Sequence, residues 1–466
     1  NIPATSPATV AALLNYENYS QATQKLVSGG AIADGPLFAL PGGSLRTAVG
    51  VDYSREEISA HVANGRIGAD ENAVRADGSR NTKSVFAELS APIVGQRNSM
   101  PGIKSLKVSL SARYDKYSDF GATTNPKAGF TYQPISSLTL RANYGKAYNA
   151  PSLADTVGAV DSRVTNPYAA FGGFRTIAVR PGDPAASSNR PTIVVAGGNP
   201  GLKPQKADTW SAGADWDVKF VKGLTLSATY YSIVFKDQIA VIPFYQPVIY
   251  SGAFDDKYII NPTIAQFRAF TNNLRLDGSF TLQQLYGPNL DGVGGNAPYL
   301  LADGRRNNLG TLDTNGLDFA ARYFHSTSFG NIHGNIGGNY VLKRVSQALP
   351  GTAWIDERLT QGRFSYSATA GVVVKRLTAD ATANVTPGYH IDGFAQDWVK
   401  KFYTFDLFFA YDLSNKRATS PHWNSNLSVT LNIKNVLDKD PIRVPNGGYN
   451  GGTLGRYAHL GVTKKF

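Results

Sequence analysis

Two long stretches of the sequence combine aromatic side chains with arginines, a combination that can bind a planar or an anionic ligand. They are residues 149–204 and 238–312. The candidate binding residues are Tyr168, Phe171, Phe174, Arg175, Tyr245, Tyr250, Arg305 and Arg306. Aromatic rings offer flat apolar surface, and a guanidinium group adds a permanent charge with a planar set of donors. The alternative is that the same side chains pack the two stretches against each other.

Catalytic and metal-binding patterns are weak or missing. The sequence has no G-x-S-x-G, no H-E-x-x-H and no P-loop. His325 and His333 flank a short turn, but two histidines make a poor metal site without further ligands. Asp255 and Asp256 fit a solvated turn better than a calcium site. We therefore expect no enzyme activity, no catalytic residue, no metal and no cofactor.

The composition excludes several classes of protein. The chain has 466 residues, a net charge of +12, 47 glycines and no cysteine. No apolar run approaches the 18 or more residues of a membrane-spanning helix, which excludes a helical membrane protein. The basic residues are scattered, without a run of five and without a recognisable nucleic-acid-binding motif, so we expect no nucleic-acid partner.

Alternation of apolar and polar residues recurs along the chain and indicates β-strands with one apolar face. LKVSLSARYD predicts a strand over residues 104–116, and YTFDLFFAYD predicts one over residues 400–412. Such segments reach ten or more residues, which is the length of a tilted membrane strand. Their other face carries Arg113, Arg141, Asn143 and Asp406, which we expect to line a wet lumen. The pattern predicts an all-β protein, a transmembrane antiparallel β-barrel with aromatic girdles.

The connections between the predicted strands sort into two sets. Short turns alternate with long loops near residues 56–81, 149–204, 238–312, 346–359 and 438–453, as in outer-membrane barrels. The segment IAQFRAFTNNL (264–274) has helical spacing and predicts a short helix inside the longest loop. We count fifteen strands in a barrel region spanning residues 25–466, and single-chain bacterial barrels have an even number. Residues 1–24 are therefore expected to belong to an outer loop, and the chain to be the C-terminal part of a larger barrel.

Five stretches, in order, resemble the C-terminal half of TonB-dependent outer-membrane receptors. They are LFALPGGSLRTAVGVDYSREE, LTLRANYGKAYNAPSLAD, GGNPGLKPQKADTWSAGADW, DGRRNNLGTLDTNGLDFAARY, and NIKNVLDKDP followed by YNGGTLGRYAHLGVTKKF. Gln205 stands where the family usually has Glu. Together they span about residues 37 to 466. The resemblance implies a barrel of 22 strands with a plug in its lumen, of which about seven strands and the plug lie outside this sequence.

The family resemblance also gives a role to the C-terminal residues. His459, Gly461 and Phe466 match the pattern of a terminal strand recognised by the outer-membrane assembly machinery, although Lys464 replaces a hydrophobic residue. The implied partners are an N-terminal segment or chain with the plug and about seven strands, TonB through that plug, outer-membrane lipid and lipopolysaccharide, and a small-molecule ligand. The implied location is the outer membrane of a Gram-negative bacterium.

Three functions remain open at this point. The first is the barrel portion of a TonB-dependent active transporter for a scarce ligand, a ferric siderophore by default, with cobalamin, carbohydrate and peptide as alternatives. The second is a passive pore or scaffold of fourteen strands, which requires that the first predicted strand (25–38) is wrong. The third is a secreted β-sandwich lectin, which predicts solubility without detergent.

Overall fold

The computed structural model describes residues 6–15, 17–65, 67, 74–157, 161–165, 179–242, 247–271, 276–278, 281–391, 398–414, 427–444 and 447–464. Helix α1 (Pro7–Leu14) precedes six strands that each pair with the next. These strands are β1 (Glu17–Leu40), β2 (Gly43–Gly65), β3 (Val74–Val94), β4 (Ser105–Tyr117), β5 (Gly121–Ile135) and β6 (Leu138–Asn149).

The middle of the chain alternates between the same sheet and two long connections. The first connection holds α2 (Leu153–Val157), β7 (Asp161–Thr165), a 3-10 turn (Ala185–Asn189) and β8 (Thr192–Ala196). Strands β9 (Gln205–Asp217) and β10 (Leu224–Val241) follow. The second connection holds 3-10 turns (Pro247–Tyr250, Asp255–Lys257), β11 (Tyr258–Ile260), α3 (Ile264–Thr271), β12 (Leu276–Gly278), α4 (Leu282–Tyr286) and β13 (Leu300–Asp303).

The last third of the chain completes the sheet. Its elements are β14 (Arg306–Ser326), β15 (Asn331–Gln347), β16 (Trp354–Asp356), α5 (Arg358–Gln361), β17 (Phe364–Val374), β18 (Leu377–Thr386), β19 (Tyr389–His390), β20 (Trp398–Val399), β21 (Phe402–Asp412), β22 (Leu427–Lys434), β23 (Ile442–Arg443), β24 (Tyr449–Asn450) and β25 (Tyr457–Lys464).

Fifteen strands form one continuous antiparallel path, and this confirms the all-β barrel-type fold. The order is β1-β2-β3-β4-β5-β6-β9-β10-β14-β15-β17-β18-β21-β22-β25, with β16 added beside β15. Strand β1 pairs with β2 from Glu17 to Leu40, so the first strand exists and is longer than predicted. Strands β2 and β3 also continue into the range 56–81, which the sequence had assigned to a loop.

Short turns and long connections occupy opposite ends of the sheet. The turn before β10 shows why a short turn needs glycine: Gly223 has a φ of +89°, and a Cβ there would lie 1.8 Å from the Phe324 carbonyl oxygen. Only glycine takes this conformation and tolerates this approach at little cost. The two longest connections therefore emerge together at the end opposite such turns.

The two faces of the sheet differ in chemistry, as the alternation predicts. On the apolar face Leu110 is 51% exposed and Tyr114 is 42% exposed. On the other face of the same strand, Asp115 is only 1% exposed and lies among polar neighbours. Large apolar side chains left uncovered in a row need an apolar solvent, which for a barrel strand is lipid. Within the described residues, no helix is long and apolar enough to cross a bilayer.

The hydrophobic core lies in the two long connections rather than in the sheet. Strands β11, β13, β8, β7 and β12 form a separate five-stranded sheet. One cluster of buried residues surrounds Phe254, Tyr299 and Leu300, and a second surrounds Ile193, Phe267 and Leu301. We call this unit, the described residues of 161–165, 179–196 and 247–303, the loop assembly. Its apolar runs TIVVA and LLAD form the neighbouring strands β8 and β13.

Candidate ligand-uptake surface

The polar face of the sheet carries linked charges, which we call the wet face. On it, Arg113 Nη1 donates to Asp52 Oδ2 at 2.9 Å, and its Nε donates to Asp115 Oδ1 at 2.8 Å. The Ser84 hydroxyl donates to the same Asp115 oxygen at 2.6 Å. Three adjacent strands are therefore joined by charge-assisted hydrogen bonds, which are stronger than neutral ones.

Arg141 forms a second group on the same face. Its Nε lies 3.2 Å from Asp215 Oδ2, and its Nη2 donates to Thr229 Oγ1 at 2.8 Å. Asn143 is exposed two residues along the strand, where Gly129 leaves room beside its side chain. The arginine thus spans β6, β9 and β10, and it pairs with the carboxylate of Asp215.

Asp406 forms a third group at the other end of the strand path. It accepts from Lys434 Nζ at 2.9 Å, from Asn384 Nδ2 at 3.1 Å and from the Asn435 backbone N–H at 2.9 Å. Directly opposed residues share a face of a sheet, and the register carries this face from strand to strand. Arg113, Arg141, Asn143 and Asp406 consequently lie on one side, with the apolar rows on the other.

Arg80 is an important residue that sequence reasoning missed. It is 4% exposed, and its Nε and Nη2 donate to Asp119 Oδ2 at 2.9 and 2.7 Å. Its Nη1 donates to the Pro151 carbonyl at 2.8 Å, so it fastens β3 to the start of the first long connection. Sequence analysis missed Arg80 because residues 56–81 were assigned to a loop. In a predicted strand, an arginine on one face would have suggested a partner on the neighbouring strand.

Tyr299 joins the two connections inside the loop assembly. Its hydroxyl donates to Asp183 Oδ2 at 2.8 Å and accepts from the Arg180 backbone N–H at 3.0 Å. Burial raises the pKa of the Tyr299 phenol, and its hydrogen bond lowers the pKa of Asp183. A carboxylate that accepts a hydrogen bond is favoured in its charged form.

The candidate binding residues of the described loops all have protein partners. Tyr250 packs against the Phe254 cluster, with its ring 5.4 Å from the Tyr258 ring, and burial raises its pKa. Arg305 donates to both oxygens of Asp303 at 2.9 Å, and these bonds raise its pKa. Arg306 lies 2.9 Å from Asp155. Tyr168, Phe171, Phe174, Arg175 and Tyr245 lie outside the described residues.

Strand β25 carries two of the three C-terminal residues singled out above. His459 opposes Asn432 and Gly461 opposes Thr430, and both lie on the wet face. A Cβ on Gly461 would come within 2.7 Å of Thr430 Oγ1. Their neighbours Leu460 and Val462 are 68% and 66% exposed on the apolar face. Phe466 lies outside the described residues.

The two histidines near the β14–β15 turn do not share a site. His333 opposes Phe324 and His325 opposes Ile332, so the rings lie on opposite faces. His333 instead lies 2.8 Å from Asp380 on the wet face. In the described part of the chain, no group of three or more histidine and acidic side chains is arranged to hold a metal ion.

Sequence and structure comparisons identify the family. The profile described as TonB dependent receptor-like, beta-barrel, matches residues 5–436. The chain belongs to this family of TonB-dependent receptor barrels. An outer-membrane location follows from that membership. Among curated proteins, no sequence match is found.

Solved receptor structures share the fold. A mutant of the ferric enterobactin receptor from Pseudomonas aeruginosa, in complex with enterobactin, gives a TM-score of 0.56 at 16% identity, over 95% of this chain and 53% of that one. The siderophore receptor PirA from Acinetobacter baumannii gives 0.57 at 15% identity, over 95% and 54%. The RagAB peptide transporter gives 0.55 at 13% identity, over 96% and 56%. The chain thus spans about half the length of these proteins.

Proposed function

We propose that this chain forms the barrel portion of a TonB-dependent active transporter that takes up a ferric siderophore across the outer membrane. The main support is a sheet with one lipid-facing side and one side of linked charges, in a chain of the receptor-barrel family. Two of the similar structures are a ferric enterobactin receptor and a siderophore receptor, which favours this ligand class over the peptide of the third.

In this proposal the two regions divide the work. The loop assembly and the neighbouring loops present aromatic and arginine surface to the ligand, and the wet face lines the route inward. Arg113, paired with Asp52 and Asp115, and Arg141, paired with Asp215, lie on that face as parts of polar groups that line the route. The plug, about seven further strands and the contact with TonB belong to the rest of the receptor.

Uptake assays with the complete receptor test the proposal. Cells lacking other siderophore receptors should accumulate radioactive iron from a ferric siderophore in a saturable way, and only when TonB and the proton gradient are present. Equal uptake without TonB would indicate a passive pore and contradict the proposal. Uptake of labelled peptide, but of no ferric siderophore, would retain the coupling and overturn the ligand class.

A further inference from the structure

A cleft with three lysines lies on the outside of the sheet, away from the wet face. It has a volume of about 510 Å³ and is lined by Trp398, Lys400, Lys401, Tyr403 and Lys439, which we call the rim cleft. A second cavity of about 360 Å³ adjoins it, shares Trp398 and Lys401, and adds Arg358 and Arg363.

The position of Tyr403 shows which side of the sheet the rim cleft faces. Tyr403 begins the alternating row that continues through Phe405 and Leu407, whereas Asp406 lies on the wet face with Lys434. The rim cleft therefore opens on the lipid-facing side.

The connections that build the rim cleft place it at one end of the sheet. Trp398, Lys400 and Lys401 belong to the connection between β18 and β21, and Lys439 belongs to the one between β22 and β25. Both connections lie at the same end as the loop assembly. Because the long connections of bacterial outer-membrane barrels face the outside of the cell, we infer that the rim cleft lies where apolar strand surface gives way to the outer loops.

The charges of the rim cleft are available to a ligand. Lys400 and Lys401 are exposed, and Lys439 places its Nζ 3.0 Å from the Tyr403 ring centroid. None of the three forms an ion pair with a carboxylate of the described residues. The neighbouring Arg358 differs, because Asp356 already pairs with it at 2.6 Å. The three lysines thus supply most of the positive charge that is not paired with a described carboxylate in the rim cleft and the adjoining cavity.

We propose that the rim cleft binds the phosphorylated head group of a glycolipid in the outer leaflet. Lysines bind phosphate as compact point charges, and tryptophan and tyrosine prefer the boundary between lipid and water. The acyl chains would then lie along the row that starts at Tyr403 and Phe405. A soluble anion would satisfy the lysines but would leave the adjoining apolar row without a partner, so we assign the site to a lipid. The inference is independent of which ligand crosses the lumen.

Native mass spectrometry of the complete receptor in detergent tests this assignment with defined lipids. Bisphosphorylated lipid A should bind, and the same lipid without phosphates should bind more weakly by roughly tenfold or more. The double variant Lys400→Gln/Lys401→Gln should lose about tenfold or more in affinity for the phosphorylated lipid. The matched control is Lys219→Gln/Lys222→Gln, which removes two exposed lysines from the turn at the opposite end.

Several results would overturn the lipid assignment. Equal loss in the control pair would show a general charge effect, and equal binding of dephosphorylated lipid A would exclude a phosphate site. Displacement of bound lipid A by inorganic phosphate at equal concentration would identify a soluble-anion site instead. A heat-modifiable shift on gel electrophoresis verifies that each variant is folded. Lys439→Arg, which keeps the charge, should retain binding, and Lys439→Gln should weaken it.

Discussion

The sheet and the loop assembly are built on opposite plans. In the loop assembly Phe254, Leu285 and Leu301 are fully buried, and two hydrophobic clusters hold its strands together. In the sheet the large apolar residues are exposed, and the buried positions include charged ones such as Arg80 and Asp115. The loop assembly buries its apolar residues, as water-soluble domains do, whereas the sheet exposes apolar residues and buries some charged ones.

The difference teaches where each region obtains its stability. The loop assembly gains free energy by removing apolar surface from water. The sheet does not gain free energy by burying its apolar row inside the protein, because lipid already solvates that row. It depends on strand pairing, which satisfies backbone groups that lipid cannot, and on hydrogen-bonded charges across the wet face. Substitutions of the same type should therefore destabilise the two regions to different extents.

The largest expected effect is the difference in stability between two leucine-to-alanine substitutions, one in each region. Leu301→Ala should destabilise the loop assembly by about 2–5 kcal/mol, because the side chain is completely buried. Leu460→Ala removes the same atoms from a side chain that is 68% exposed and should cost less than about 1 kcal/mol. Limited proteolysis and heat-modifiable gel migration distinguish loss of the loop assembly from loss of the barrel. Equal sensitivity at both positions would contradict the comparison.

A smaller effect is expected when a charge is removed from the wet face. Asp115→Ala leaves the Arg113 guanidinium with Asp52 as its remaining carboxylate partner, and should cost roughly 1–3 kcal/mol because Arg113 is partly exposed. The matched variant is Asp34→Ala, whose pair with Arg46 is long, at 3.6 Å, and 64% exposed on both sides. It should cost below about 1 kcal/mol. Denaturant unfolding in detergent micelles, followed by tryptophan fluorescence, measures both; a larger loss for Asp34→Ala would refute the argument.

The smallest effect is an acid sensitivity confined to the loop assembly. The Tyr299 hydrogen bond lowers the pKa of Asp183, so the folded state binds its proton less readily than the unfolded chain. The resulting stabilisation is present above the ordinary carboxyl pKa of about 4 and is lost as pH falls through the folded value. Near-UV circular dichroism of thermal unfolding between neutral and acidic pH should show it. Asp183→Asn should remove this pH dependence, and an unchanged slope would exclude Asp183 as its source.

Local alternation was enough to predict much of the sheet. Strands expected at 104–116 and 400–412 were found at Ser105–Tyr117 and Phe402–Asp412, because a period of two depends only on adjacent residues. The same logic gave the shared face of Arg113, Arg141, Asn143 and Asp406. It failed near residues 56–81, where strands β2 and β3 continue without a sustained apolar row.

The loop assembly could not be predicted in the same way. Helix α3 was expected from its spacing, but the pairing of β8 with β13 joins Thr192 to Leu300, residues far apart in the sequence. No local pattern encodes such a contact. The binding roles of Tyr250, Arg305 and Arg306 remain predictions. The sequence alone did not reveal that each of these residues already has a partner within the protein.

The lengths of the paired strands give the described sheet a sloping outline. Strands β1, β2 and β3 have 24, 23 and 21 residues, whereas β22 and β25 have eight each. A bilayer needs only about 9–11 tilted residues. Strands β1, β2 and β3 therefore extend beyond the bilayer, whereas β22 and β25 end near the lipid surface. The rim formed by the described strands is therefore higher at β1, β2 and β3 than at β22 and β25.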